Sequence, residues 1–161
     1  MYLAAERAVY DLVLQAGGFD PQTCRIDDWR VLDASGKVYA VIEQAGNTLE
    51  ADRINGAGAQ GVRTQQHEVA VVLLTPIREA EGGDDRAVQA SKQTAEDLAD
   101  FLAQYEKLGG AALVWRAQVV RITPPEAVRR AQTATGAATH IQQRLVVRVI
   151  TRQAWDPIES V

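Results

Sequence analysis

The sequence predicts an α+β domain: an antiparallel or mixed sheet of about four strands, packed by an N-terminal helix and one long central helix. Three observations carry this. Two segments, "MYLAAERAVYDLVLQAGG" and "AVQASKQTAEDLADFLAQYEKLGG", have apolar residues at helical spacing and end in paired glycines. Four others, "VYAVIE", "TQQHEVAVVLLTP", "AALVWRAQVVRIT" and "IQQRLVVRVIT", are extended apolar runs rich in valine. A length of 161 residues with no repeat or interdomain linker suits a single domain over 1–161.

The first helix is expected over residues 1–16, with Leu3, Arg7, Tyr10 and Leu14 along one stripe and Val9 and Val13 beside it. Gly17 and Gly18 stop it. Residues 19–37 are polar and turn-rich, with Trp29, Val31 and Leu32 as anchors to the body. "VYAVIE" is a short strand. Residues 52–63 are expected to form a flexible glycine-rich loop. In the strand that follows, Val69, Val71 and Leu73 face one way and Ala70, Val72 and Leu74 the other, so it belongs in the middle of the sheet until Pro76 ends it.

In the central helix Leu98, Phe101, Leu102 and Tyr105 form the buried stripe, Asp84 or Asp85 is the expected N-cap, and Gly109-Gly110 closes it. After the next strand, Pro124-Pro125 opens an insertion over 124–140 that begins with a short "EAVRRA" helix. The last strand places Leu145, Val147 and Val149 on its core face, and residues 152–161 are expected as a tail.

"NGAGAQGVR" contains Gly56-x-Gly58-x-x-Gly61, the letters of a dinucleotide-binding loop. That loop works only where a buried strand turns directly into a helix, whose first N–H groups meet the pyrophosphate. Here a half-charged segment precedes the glycines and a β-rich one follows, so the expectation is a connection between two strands and no cofactor.

Other chemistry is sparse. The lone Cys24 leaves no intrachain disulfide and no multi-cysteine metal site, and is read as an inert, half-buried thiol. His67 and His140 lie in polar stretches without metal-ligand spacing and are expected at the surface. Asp27-Asp28 and Asp84-Asp85 are adjacent pairs suited to turns and caps, and Ser35, Ser91 and Ser160 lack a nucleophile elbow. No catalytic, cofactor or metal residue is nominated, and the expectation is a protein that is not an enzyme. The net charge of −4 without a basic block argues against specific nucleic-acid binding. Glu6, Arg7 and Asp11 interrupt the first apolar run, so it is not read as an export signal, and no apolar run is long enough for a membrane span.

Proteins with so little concentrated chemistry act through surfaces. The candidate interface residues are Arg144, Val146, Arg148 and Ile150, where guanidinium and apolar groups alternate on one strand face, with Arg53, Ile54 and Arg63 flanking the glycine-rich loop.

The order of "MYLAAERAVYDLVLQAGG", "VYAVIEQAGNTLEADR", a glycine-rich gap, "HEVAVVLLTPI", a polar loop, "AEDLADFLAQYEKLGG" and "WRAQVVRI" resembles the tail terminator and tail-completion (minor tail) proteins of long-tailed bacteriophages. The likeness covers roughly residues 1–123; the stretch "TPPEAVRRAQTATGAATH" departs from it. The resemblance implies a structural virion protein, assembled in the host cytoplasm, that forms a homo-oligomeric ring, commonly a hexamer, at the head-proximal end of the tail tube. It implies the tail tube protein and a head–tail connector or neck protein as partners, with DNA passing through the ring. A second reading from the residues alone is a small-ligand-binding or enzymatic α+β domain.

Overall fold

The computed structural model describes residues 2–29, 37–49, 53–54, 61–78, 82–105, 114–129 and 137–155. Among these described residues, two helices and seven strands follow in the order α1 (Tyr2–Gln15), β1 (Cys24–Ile26), β2 (Tyr39–Leu49), β3 (Arg53–Ile54), β4 (Gly61–Pro76), α2 (Gly83–Ala103), β5 (Val114–Ile122), β6 (Glu126–Val128) and β7 (His140–Trp155). The class is α+β, with more strands than the expected four. The additional ones, β1, β3 and β6, are only two or three residues long, too short for an alternation of side chains to reveal them.

All strands join one sheet in the order β1-β2-β4-β7-β5, with β3 added to β4 and β6 to β7. It is mixed: β1 runs parallel to β2, and the other pairings are antiparallel. The β4–β7 ladder is unbroken from Gly61 opposite Trp155 to Pro76 opposite His140. Strand β4, apolar on both faces, sits inside the sheet as expected.

Both helices cover one face. Ile42, Val69, Val71, Leu73, Leu145, Val147 and Val149 point into a core completed by Val9, Leu12 and Val13 of α1 and by Ala95, Leu98 and Leu102 of α2. On α2 the expected stripe holds, with Leu98 and Leu102 buried and Phe101 and Tyr105 packed against the same core. The helix ends at Ala103, before the Gly109-Gly110 pair, which lies outside the described residues. Its N-cap is Gly82, in a left-handed conformation (φ 100°) that disfavours any side chain; Asp84 and Asp85 occupy the first turn instead, where their charge favours the helix dipole.

On α1 the buried face differs from the expected one. Ala5, Glu6, Val9, Leu12 and Val13 are buried, whereas Leu3 is 77% exposed. The helix carries two apolar stripes at the same spacing, and the one with the smaller residues, Ala5 and Val9, allows the closer approach to the sheet. Gly17 and Gly18, both at φ near +83° to +84°, then break the helix.

The turn into β1 is built by Asp20, whose carboxylate accepts the N–H groups of Gln22 (2.8 Å) and Thr23 (3.0 Å). Those two bonds hold its carboxyl below the usual carboxylate range. Trp29 packs where the sequence anchors it, against Tyr39, Val41, Ala70, Val72 and Leu74 on the sheet face away from the helices. Val31 and Leu32 lie outside the described residues.

Three loop assignments change. Within 52–63, Arg53–Ile54 and Gly61–Val62 pair as antiparallel strands, and residues 55–60 lie outside the described residues. Residues 126–128 of the expected "EAVRRA" helix form β6 against β7, because the preceding prolines hold the chain extended beside the β7 ladder. Arg152–Trp155 of the expected tail continue β7 against Gly61–Thr64; residues 156–161 lie outside the description.

Candidate functional site

Alternation along β7 places Arg144, Val146, Arg148 and Ile150 on the face opposite the helices, as the sequence indicated. Register adds their neighbours. Arg144 lies opposite Val72, Val146 opposite Ala70, Arg148 opposite Glu68, and Ile150 opposite Gln66. On the other side of β7, Arg121 lies opposite Val146, Gln118 opposite Arg148 and Arg116 opposite Ile150. This face thus carries Arg116, Arg121, Arg144 and Arg148 around a central valine.

Two of these arginines are neutralised within the sheet. Arg144 reaches Glu43 of β2 at 3.1 Å, and Arg148 reaches Glu68 of β4 at 3.5 Å. Arg116 and Arg121 are exposed, with no ion-pair partner among the described residues. Val146 is only 2% exposed and Val72 and Ala70 are fully buried, so Val146 belongs to the packed layer, not to a contact surface. Long side chains such as arginine can cover such apolar positions while their charged ends stay wet.

The other candidate residues stand elsewhere. Arg53 and Ile54 form β3 opposite Val62 and Gly61, and Arg63 lies opposite Gln153. Along β7, Gln153 stands three positions beyond Ile150 and nine beyond Arg144, roughly 10 and 30 Å at strand rise. One compact site does not hold all seven residues. The carboxylate partners Glu43 and Glu68 were missed by sequence reasoning, since their pairing depends on a strand register that the residues alone do not specify.

The glycine motif ends in a strand. Gly61 opens β4, antiparallel to β3, where a pyrophosphate loop requires a helix N-terminus. Both histidines are buried, His67 to 1% and His140 to 6% exposure, correcting the surface expectation. The reason is the length of the β4–β7 ladder, which begins well before His67 and encloses it. His67 Nε2 lies 3.4 Å from Thr151 Oγ1, and burial lowers its pKa below the ordinary histidine value. His140 Nδ1 lies 2.8 Å from Thr139 Oγ1. Cys24 is fully buried rather than half-buried, and burial pushes its thiol up to about 12. Ser91 donates a buried hydrogen bond to Gln143 Oε1 at 2.8 Å, tying α2 to β7.

No group of three or more His, Cys, Asp and Glu among the described residues could hold a metal ion, and no described helix is long and apolar enough to cross a membrane. Among the described residues, three clefts border α2. One of about 300 Å³ lies at the end of α1, lined by Gly17, Gly18, Phe19, Thr94 and Asp97 among others. Another of about 460 Å³ runs between α2 and the edge strand β5. No protein-family model matches this chain, and no curated protein matches it in sequence.

Proposed function

We propose that this chain is a structural virion protein, a tail terminator that forms a ring at the head-proximal end of a long-tailed phage tail tube. The ring stops tube polymerisation and joins the tail to the head or neck. Its partners are further copies of itself, commonly six in a ring, the tail tube protein and a connector or neck protein.

The observation that carries this reading is the sheet face away from the helices, where arginine–glutamate pairs lie over buried valines and Arg116 and Arg121 have no ion-pair partner among the described residues. Such a polar, layered face suits packing against another protein. The order of segments along the chain, which resembles the phage family, supports the same reading.

The test is the native mass over a range of concentrations, with electron micrographs of assembled particles. Rings in solution or at the tube end are expected; a single copy at an asymmetric position excludes the reading. The alternative, a small-ligand-binding or enzymatic domain, draws on the cleft beside Thr94 and Asp97. A thermal shift of several degrees with NAD, FAD or ATP favours that alternative, whereas the ring reading expects none.

A further inference from the structure

The third cleft, of about 160 Å³, opens between the first turns of α2 and the end of β4; its walls include Thr75, Arg78, Gly83, Arg86 and Ala87. Thr75 follows Leu73 by two positions and so shares the strand face that the helices cover. It is 4% exposed, and its Oγ1 has no hydrogen-bond partner among the described residues. Ile141 across the ladder and Ala87 on the helix offer no side-chain acceptor. A buried hydroxyl left unpaired is destabilising, and this one belongs to the wall of an opening.

The helix end beside it is also incomplete. No side chain caps α2, and the Gly83 N–H donates to the Arg78 carbonyl at 2.9 Å. The N–H groups of Asp84 and Asp85 come next, before the first bond that the helix can make to itself, and meet no acceptor among the described residues. Arg86 is exposed and has no ion-pair partner among the described residues. A Cβ at Gly82 would stand 3.0 Å from Arg86 Cβ, so glycine at the cap leaves room for the arginine stem.

We propose that this cleft binds a phosphate group, as the free ion or as a small monoester. The Thr75 hydroxyl donates from the sheet, the Arg86 guanidinium from the helix flank, and the first-turn N–H groups from the helix end. Donors arriving from three sides suit a tetrahedral anion better than a flat carboxylate. Asp84 and Asp85 are exposed and stand outside the cleft walls, but their charge offsets part of the helix dipole and holds the affinity in the millimolar range. No aromatic residue among the described residues lines the cleft, so a nucleotide base gains nothing there. The site is independent of ring formation.

The test follows amide NMR signals of the full chain through titrations with inorganic phosphate and with methyl phosphate, against sodium chloride at matched ionic strength. Signals of Gly83, Asp84, Asp85 and Arg86 are expected to shift saturably with one or both phosphates and not with chloride. Which of the two is bound identifies the source, and either supports the site. Thr75→Val should weaken binding about tenfold yet melt no earlier than the wild type, because its hydroxyl has no protein partner to lose. Thr75→Ser keeps the hydroxyl and should stay within about threefold of the wild-type affinity. Arg86→Gln, at an exposed position, should also weaken binding about tenfold. Absence of a saturable shift, an equal shift in chloride, or undiminished affinity in either Thr75→Val or Arg86→Gln overturns the site. Earlier melting of Thr75→Val overturns it too, since the hydroxyl would then have a structural role.

Discussion

Arg144 and Glu43 meet across an intervening strand. Arg144 stands on β7 opposite Val72 of β4, Glu43 stands on β2 opposite Ala70 of β4, and their side chains approach to 3.1 Å. The bridge therefore ties three strands together above a buried apolar layer. Both side chains retain solvent, 39% for Arg144 and 19% for Glu43, so screening limits its strength. A double-mutant cycle with Arg144→Ala and Glu43→Ala should give a coupling energy of about 0.5–1 kcal/mol that shrinks in high salt. A coupling indistinguishable from zero at low salt means the pair does not hold in solution.

Leucines at two positions should behave in opposite ways. Leu98 on α2 is 3% exposed within the core, so Leu98→Ala should lower the unfolding free energy by about 2–5 kcal/mol. Leu3 is 77% exposed, and Leu3→Ala should change monomer stability by about 0.5 kcal/mol or less. Urea denaturation of both variants decides the point: equal losses place α1 the wrong way round.

Stability should fall with acid through a histidine. Burial lowers the His67 pKa below its ordinary value of 6.5, so the unfolded chain binds the proton more readily than the folded one. The resulting stabilisation is complete above pH 6.5 and is lost as pH falls below it toward the folded value. Asp20, whose pKa is lowered from 3.8, acts in the same direction but only in stronger acid. Melting curves between pH 7.5 and 5 should slope less for His67→Gln than for the wild type; parallel slopes would assign the acid sensitivity to other groups.

The Cys24 thiol should resist modification. It is fully buried in the core, and its pKa near 12 leaves almost no thiolate at neutral pH. A disulfide reagent in excess should label it only at the rate of unfolding, with full labelling in denaturant. Stoichiometric labelling within seconds under native conditions contradicts the placement of β1 against the core.

Helix α2 and strand β4 were legible from residues alone because each carries one unambiguous pattern, a single stripe through Leu98 and Leu102 or an apolar run on both faces. Helix α1 was ambiguous, since Leu3-Arg7-Tyr10-Leu14 and Ala5-Val9-Leu12 follow the same period and only packing distinguishes them. The buried His67 and the pairing of Arg144 with Glu43 depend on where a ladder starts and how strands register, and both are long-range properties. The face holding Arg144 and Arg148 was legible from alternation, but the burial of Val146 between them was not.

Strand β7 has a kinetic consequence. It lies between β4 and β5, yet it follows every other described element in the chain, and its pairing joins Gly61 to Trp155. A ribosome therefore releases β4 with both apolar faces made and its main-chain edge still waiting for a partner that runs from His140 to Trp155. Contacts at such separation form slowly, and the nascent chain spends that interval as a template for the wrong strand. The hazard passes when the last strand slides into the gap, so yield in an expressing cell should depend more on chaperone supply during synthesis than on the stability of the finished chain.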